Sequence, residues 1–244
     1  MLKSDIEIPR TKFLFIISHM RSRSSLLSHL LGSNSEIAGY TELHQSYYNR
    51  FLIYKQKKHI VRDTNIDVSG KYLFDKLLHN QYIIPKKMLR SNNVKLIFLL
   101  REPESTLRSI INLGYMTNTK RFLSPKKVTQ YYCNRLAGMV SFSQNASGNG
   151  VFINSDQIIN DQERVLNGLT EWLSLKTVLK AHYNVFPKTG IPGYGDPSEV
   201  IKSGVISSKR PVYDARSQIE IPEQAKNAYS NCVKNLQQNC SMFE

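Results

Sequence analysis

The chain has 244 residues and a formal net charge of +14, with 33 lysines and arginines against 19 acidic residues. Hydrophobic residues make up 41% and charged residues 21%, proportions that exclude a disordered, collagen-like or fibrous protein. The longest unbroken apolar runs, residues 13–17 and 96–100, are far shorter than the roughly 20 residues of a membrane span. We therefore expect a globular protein with no transmembrane helix.

The N-terminal segment and the cysteines bear on the location of the protein. Residues 1–10 are polar and contain no apolar stretch of the kind found in secretory signals. The three cysteines (Cys133, Cys232 and Cys240) form no CxxC pair, which argues against a disulfide framework and a structural zinc site. These features predict a cytoplasmic location.

The positive charge is concentrated in one part of the chain. Residues 51–100 contain ten lysines and arginines but three acidic residues. A basic region of this kind attracts nucleic acid, an anionic membrane or a small molecule rich in phosphate. The charge alone does not choose among these partners.

Two segments have the pattern of a buried strand followed by a helix. The apolar run 13–17 predicts a strand, and the leucines after it have helical spacing up to a helix stop at 32–34 (Leu26, Leu27, Leu30 and Leu31). The run 94–100 predicts a second strand, followed by Pro103 in the first turn of another helix. Each unit places a strand-to-helix turn next to polar residues.

The remaining elements complete an alternating pattern. Helices are predicted near 43–60, 126–142 and 161–174, and strands near 71–75 and 151–154. A last amphipathic helix after Pro222 is predicted to turn five side chains inward (Ala225, Tyr229, Cys232, Val233 and Leu236). Segment 186–208, rich in proline and glycine, is predicted to be irregular and functional. The pattern predicts an α/β fold with a parallel sheet covered on both faces, and we interpret residues 1–244 as one domain.

The first strand-to-helix turn, residues 18–25, concentrates groups that bind anions. A helix N-terminus offers unpaired backbone N–H groups and the positive end of a dipole. Two guanidiniums and three hydroxyls add to it here (Arg21, Ser22, Arg23, Ser24 and Ser25). A polar connection with a serine cap is the alternative, but the density of these groups favours phosphate or sulfate binding. The absence of GxxxxGK[ST] and GxGxxG argues against an ATP or GTP hydrolase and a Rossmann dehydrogenase.

The second turn, residues 100–109, carries Arg101 at the end of the predicted strand. Ser105, Ser109 and Asn112 follow at helical spacing, so an anion held by Arg101 can also meet Ser109. An exposed helix face with an unrelated arginine is the alternative, and this turn alone does not decide between the two.

Together the two turns resemble sulfotransferases that use 3′-phosphoadenosine 5′-phosphosulfate (PAPS). Residues 20–27, MRSRSSLL, resemble the family's 5′-phosphosulfate loop, and residues 100–109, LREPESTLRS, resemble its 3′-phosphate motif with a serine eight residues after the arginine. Residues 34–42, Asp75-Lys76 and residues 193–198 resemble the segment before the catalytic glutamate, the "DK" before the acceptor site and a cofactor-side loop. Met20 and Arg23 stand where the motif has proline and glycine, and Arg21 stands where cytosolic members have lysine. The resemblance is therefore to bacterial and Golgi-type members.

The resemblance implies a P-loop-like three-layer fold and a role for each motif residue. PAPS would be the sulfuryl donor, with no metal required. Its 5′-phosphosulfate would bind at the first turn (Arg21, Ser22, Arg23, Ser24 and Ser25), and its 3′-phosphate would bind Arg101 and Ser109. Glu42 would be the general base, with His44 as a candidate to share that role, and Lys76 would donate to the sulfonate or the bridging oxygen.

The acceptor and two other functions stay open. The acceptor would be a hydroxyl or amine on a small molecule, glycan or lipid, in a pocket built from residues 45–70, 115–130 and 180–215. One alternative is a P-loop-like ATP-dependent kinase, which the missing Walker A pattern disfavours. The other is a basic nucleic-acid-binding protein, suggested by aromatics interleaved with basic residues (Tyr47, Tyr48, Arg50, Phe51, Tyr54, Lys55, Lys57 and Lys58). Because such aromatics more often form a packing face, we expect no nucleic-acid partner.

Overall fold

Five parallel strands form one sheet in the computed structural model, which describes residues 11–146, 148–208 and 213–243. The strands are β1 (Lys12–Ser18), β2 (Ile37–Ala38), β3 (Tyr72–Leu77), β4 (Val94–Leu100) and β5 (Gly150–Asn154), in the spatial order β2-β3-β1-β4-β5. The continuous apolar runs explain this arrangement, because a central parallel strand is buried on both faces.

Helices connect and cover the strands. They are α1 (Ser24–Gly32), α2 (Arg50–Thr64), α3 (Lys86–Leu89), α4 (Pro103–Thr117), α5 (Pro125–Ser143), α6 (Gln157–Asn160), α7 (Gln162–Trp172) and α8 (Glu223–Asn239). Short 3₁₀ helices cover Lys120–Leu123, Glu199–Ser203 and Ala215–Ser217. No helix in these described ranges is long and apolar enough to cross a bilayer.

The sheet separates two hydrophobic clusters. Phe13, Phe15 and Ile17 of β1 pack into a cluster with side chains of α2, α4, α5 and α8. Leu14 and Ile16 point the other way, into a cluster with side chains of α1 and α7. This alternation produces three layers, so the predicted P-loop-like fold with a central parallel sheet flanked by helices is confirmed.

One predicted helix begins later than its pattern indicated. Residues 43–49 are not helical, and α2 starts at Arg50 after Asn49, whose side chain accepts a hydrogen bond from the backbone of Leu52. The preceding segment is held by bonds to distant parts of the chain, since the Tyr47 backbone N–H donates to the carbonyl of Ile83 at 2.8 Å. The prediction of a helix near 43–60 was therefore wrong at its N-terminal end.

The parallel arrangement positions the site. The carboxyl ends of β1, β3, β4 and β5 lie at the same edge of the sheet, which is where parallel α/β folds bind ligands. The turns after β1 and β4 are the two motif turns. Segment 186–208 is irregular apart from the 3₁₀ helix Glu199–Ser203, as its composition predicts.

Candidate anion-binding and transfer site

The turn between β1 and α1 is shaped by two arginines in an unusual backbone conformation. Arg21 has φ 62° and Arg23 has φ 65°, both in the left-handed region that favours glycine. Such residues turn successive backbone N–H groups toward one concavity, as in known anion-binding loops. Among the residues that the structure describes, no side chain caps α1, and its first turn contains no acidic residue. With φ 65°, Arg23 adopts the left-handed conformation at the position where the motif has glycine, so the shape of the turn is retained.

The serines of this turn have different environments. Ser22 is fully buried, and its hydroxyl donates to the carbonyl of His19 at 2.8 Å, so this side chain braces the turn from within. Ser24 is buried at the first position of α1. Ser25 Oγ accepts hydrogen bonds from Lys76 Nζ at 3.0 Å and from the backbone of Asp196 at 2.9 Å. Ser25 thus joins three parts of the chain.

The second turn contacts the first one directly. Arg101 is buried, and its guanidinium donates to the carbonyl of Arg21 at 3.1 Å. Arg21 Nε donates in turn to Ser109 Oγ on α4 at 2.9 Å. The backbone N–H of Arg101 donates to His19 Nε2 at 3.1 Å. The structure therefore brings together the residues of both sequence motifs.

Two arginines of the second turn have a buried hydrogen-bond donor without a partner. Within the described part of the chain, the buried Nε atoms of Arg101 and Arg108 make no hydrogen bond. Burial and the nearby Arg23 guanidinium lower the pKa of Arg101. An unsatisfied buried donor beside a like charge is costly. A bound anion would accept the hydrogen bond of Arg101 and would offset the repulsion between Arg101 and Arg23. The turn therefore has the chemistry of an anion site.

Two aspartates hold the arginines of the first turn. Arg21 forms an ion pair with Asp196 at 3.0 Å, and Arg23 forms one with Asp156 after β5. Burial opposes ionisation of Asp196, but Arg21 and the backbone of Ser198 outweigh it and lower the pKa of Asp196. Segment 193–198, which the sequence associates with the cofactor side, thus lies against the first turn.

Glu42 lies in a buried position beyond the short strand β2. Its side chain is 7% exposed, and its Oε1 has no hydrogen-bond partner in the described part of the chain. Burial raises the pKa of Glu42, against the opposing charges of Lys76 and His44. His44 Nδ1 is 3.4 Å from this oxygen, and His44 Nε2 is 3.0 Å from the carbonyl of Gly193. A carboxylate with raised basicity thus faces a histidine that reaches the surface.

Lys76 ends inside the same group of charges. It is 1% exposed near the end of β3. Burial lowers the pKa of Lys76, and the charges of Glu42 and Asp196 offset this only in part. The preceding Asp75 accepts from the backbones of Leu43 at 2.9 Å and Lys76 at 2.7 Å. Burial raises the pKa of Asp75 to about 7. The Asp75-Lys76 pair therefore ties the segment carrying Glu42 to the end of β3.

Sequence reasoning gave no role to His19 and did not consider Arg135. His19 is fully buried, burial lowers its pKa to about 3, and it links the two turns through Arg101. Arg135 is 1% exposed, and its guanidinium donates to the carbonyls of Ser18 at 2.7 Å and Leu77 at 2.6 Å. The sequence signal for a buried Arg135 was its position on the apolar stripe of the helix predicted near 126–142. Among the described residues, no group of three histidine, cysteine or acidic side chains is arranged to hold a metal ion.

Comparison with known proteins gives structural matches alone. No family model and no curated protein matches the sequence. The sulfotransferase domain from the curacin biosynthetic pathway matches with TM-score 0.64 at 16% identity, covering 91% of this chain and 98% of that one. The sulfotransferase domain of the Synechococcus PCC 7002 olefin synthase matches with TM-score 0.62 at 14% identity, covering 93% and 94%. The chain therefore has the fold of these sulfotransferase domains.

Proposed function

We propose that the protein is a sulfotransferase that moves a sulfuryl group from PAPS to a hydroxyl or amine of a small molecule, glycan or lipid. The observation that carries this proposal is the contact between the two motif turns, in which Arg21 reaches Ser109 and Arg101 reaches Arg21. A donor with anionic groups at its 5′ and 3′ ends needs two anion sites close together. The likeness in fold to sulfotransferase domains supports the same function.

The two turns divide the binding of the donor between them. Arg101 and Ser109 bind the 3′-phosphate, for which the unpartnered Nε of Arg101 is available. Arg21, Ser22, Arg23, Ser24 and Ser25 form the 5′-phosphosulfate loop, where Ser22 braces the backbone from within. When bound, the donor supplies an activated sulfuryl group whose leaving phosphate gains negative charge. Arg21 and Arg23 with the N-terminus of α1 stabilise that charge.

Glu42 is the general base. It takes the proton from the acceptor hydroxyl or amine while the acceptor atom forms a bond to sulfur and the bond from sulfur to the phosphate oxygen breaks. The raised pKa of Glu42 suits this task, because a more basic carboxylate accepts a proton more readily. His44 lies between Glu42 and the surface and relays the proton to solvent. Lys76, whose ammonium is already directed at Ser25, donates to the sulfonate or bridging oxygen.

Binding of 3′-phosphoadenosine 5′-phosphate, measured by calorimetry and thermal shift beside AMP, ADP and ATP, tests this function. A ligand at a hundredfold excess over its Kd adds about 2.7 kcal/mol of apparent stability. We expect preference for the 3′-phosphorylated nucleotide with or without Mg²⁺. Preference for ATP with Mg²⁺ would favour a kinase instead, and no binding of any nucleotide would reject a nucleotide-dependent transferase.

One domain over 1–244 and a cytoplasmic location are part of the same proposal.

A further inference from the structure

An exposed apolar cluster lies at the start of α2 and beside α3. Four large side chains in this cluster are mostly in solvent: Tyr48 (58% exposed), Phe51 (70%), Tyr54 (55%) and Ile83 (55%). Tyr47, which the sequence placed in the same aromatic group, is 2% exposed and packs on Phe15 with ring centroids 4.8 Å apart. The packing face that the sequence analysis favoured for these aromatics therefore holds for Tyr47 and not for the other three. Large apolar groups exposed together mark an interaction surface.

Exposed lysines lie on the two helices that carry or adjoin this cluster. Lys55 and Lys58 on α2 and Lys86 and Lys87 on α3 are exposed, and Lys58 Nζ lies 5.0 Å from the ring centroid of Tyr54. Residues 48–62 and 83–90, which carry these side chains, contain no aspartate or glutamate, and Asp63 near the end of α2 is paired with Lys188. We call the four apolar side chains and these four lysines the aromatic–lysine surface. Its charge is complementary to an anionic partner.

A small apolar pocket opens within the surface. Its volume is about 40 Å³, and Tyr48, Ile53, Pro85 and Met88 are among its lining residues. A pocket of this size and polarity accepts an apolar group and offers little to a polar one. Its occupant must therefore bring hydrocarbon as well as negative charge.

We propose that the aromatic–lysine surface binds the protein to an anionic phospholipid bilayer. Tyrosine and phenylalanine are favoured at the headgroup level, and lysine attracts anionic headgroups without a fixed geometry. Single-stranded nucleic acid fits less well, because Ile83 cannot stack on a base and the apolar pocket offers little to a polar group. Hydrocarbon from the lipid chains also covers the pocket. This attachment is peripheral. It combines burial of the apolar side chains at the headgroup level with attraction of the lysines to anionic headgroups, and each of these is weak alone.

The proposal is tested without donor or acceptor, so its outcome is independent of the enzymatic function. Cosedimentation with large unilamellar vesicles of phosphatidylcholine alone, or with about 30% phosphatidylglycerol, gives the bound fraction at low and high salt. We expect binding to the anionic vesicles that weakens as salt rises. Equal binding to both kinds of vesicle, or to neither, would overturn the proposal.

Variants separate the two parts of the surface. Phe51→Ser removes apolar area without changing charge and should weaken vesicle binding at least about tenfold. Val178→Ser should not, because Val178 is an exposed valine next to Leu179, which packs in the cluster on the other face of the sheet. Lys55→Gln with Lys58→Gln should weaken binding at least about tenfold, whereas Lys226→Gln with Lys234→Gln on α8, which removes the same charge, should have little effect. Equal losses for the α8 pair would reduce the effect to net charge and overturn the assignment.

A nucleic-acid competitor distinguishes the other class of partner. Single-stranded DNA added to the vesicle mixture should displace the protein weakly at a concentration that matches the lipid phosphate. Tight DNA binding lost in Phe51→Ser but kept in Val178→Ser would assign the surface to nucleic acid and overturn the lipid proposal.

Discussion

The Nε atom of Arg21 donates a 2.9 Å hydrogen bond to Oγ of Ser109, which lies 88 positions later in the chain. Arg21 belongs to the turn after β1 and Ser109 to α4, which follows β4. Because β1 and β4 are adjacent and parallel, their carboxyl ends bring the two turns together. One guanidinium therefore reaches both proposed phosphate sites, so occupancy of one site changes the partners available to the other.

Arg101→Ala should weaken binding of 3′-phosphoadenosine 5′-phosphate at least about tenfold, because a charge-assisted hydrogen bond to phosphate is lost. AMP, which lacks the 3′-phosphate, should bind the variant about as well as it binds the wild type. Calorimetry with both nucleotides measures the difference. Arg164→Ala, at an exposed arginine on α7, is the matched control. An equal loss for AMP would remove Arg101 from the 3′-phosphate site.

Glu42→Gln should lower kcat at least about a hundredfold while nucleotide binding is retained, because the amide cannot accept the acceptor's proton. In the wild type the raised pKa of Glu42 places the acid limb of the kcat/KM profile above the ordinary range of a glutamate, with activity rising as pH rises through it. The pH–rate profile of sulfuryl transfer to an identified acceptor checks both points. Glu163→Gln on α7 is the control. Turnover near that of the control would show that Glu42 is not the base.

Asp196→Asn should tighten nucleotide binding several-fold at low ionic strength. The Asp196 carboxylate forms an ion pair with Arg21 at 3.0 Å and competes with the ligand's phosphates for this guanidinium. Titration of 3′-phosphoadenosine 5′-phosphate at two salt concentrations tests this, with Glu199→Gln in the same segment as the control. Weaker binding in the Asp196 variant would mean that the carboxylate orients Arg21 for the ligand.

Asp75 should make the protein less stable as pH rises. Its pKa is raised to about 7 in the folded protein, above the unfolded value of about 3.9, so its stabilising contribution is complete below pH 4 and is lost as pH rises through 7. Between pH 5 and pH 8 this amounts to about 2 to 3 kcal/mol. Urea unfolding of Asp75→Asn should show a correspondingly smaller pH dependence than the wild type or Glu220→Gln. Identical dependence in all three proteins would contradict the raised pKa.

The elements that carry the motifs are predictable because their sequence signals are local. The apolar run at β4 and the proline at the start of α4 give both boundaries without tertiary information. The segment before α2 is different, since Asp75 and Ile83 hold it through long-range hydrogen bonds that no local pattern encodes. The short strand β2 was missed for the same reason, as two residues give no periodicity.

The candidate site divides in the same way. Each motif turn is visible in the sequence, because its charged and hydroxyl groups are contiguous. The pairing of these arginines with acids is not visible, since Asp156 and Asp196 are 133 and 175 positions away from Arg23 and Arg21. The raised pKa of Glu42 depends on burial, which follows from packing of the whole chain.

Arg135 couples the stability of the site to the stability of the sheet. This one guanidinium bridges the carbonyls that end β1 and β3, and burial lowers its pKa to about 10. Removing it from these carbonyls would cost a buried cation two of its hydrogen bonds, so detaching α5 from the sheet alone is strongly unfavourable. The turns and α5 should therefore open as one cooperative unit, and their amides should exchange with deuterium at matching rates.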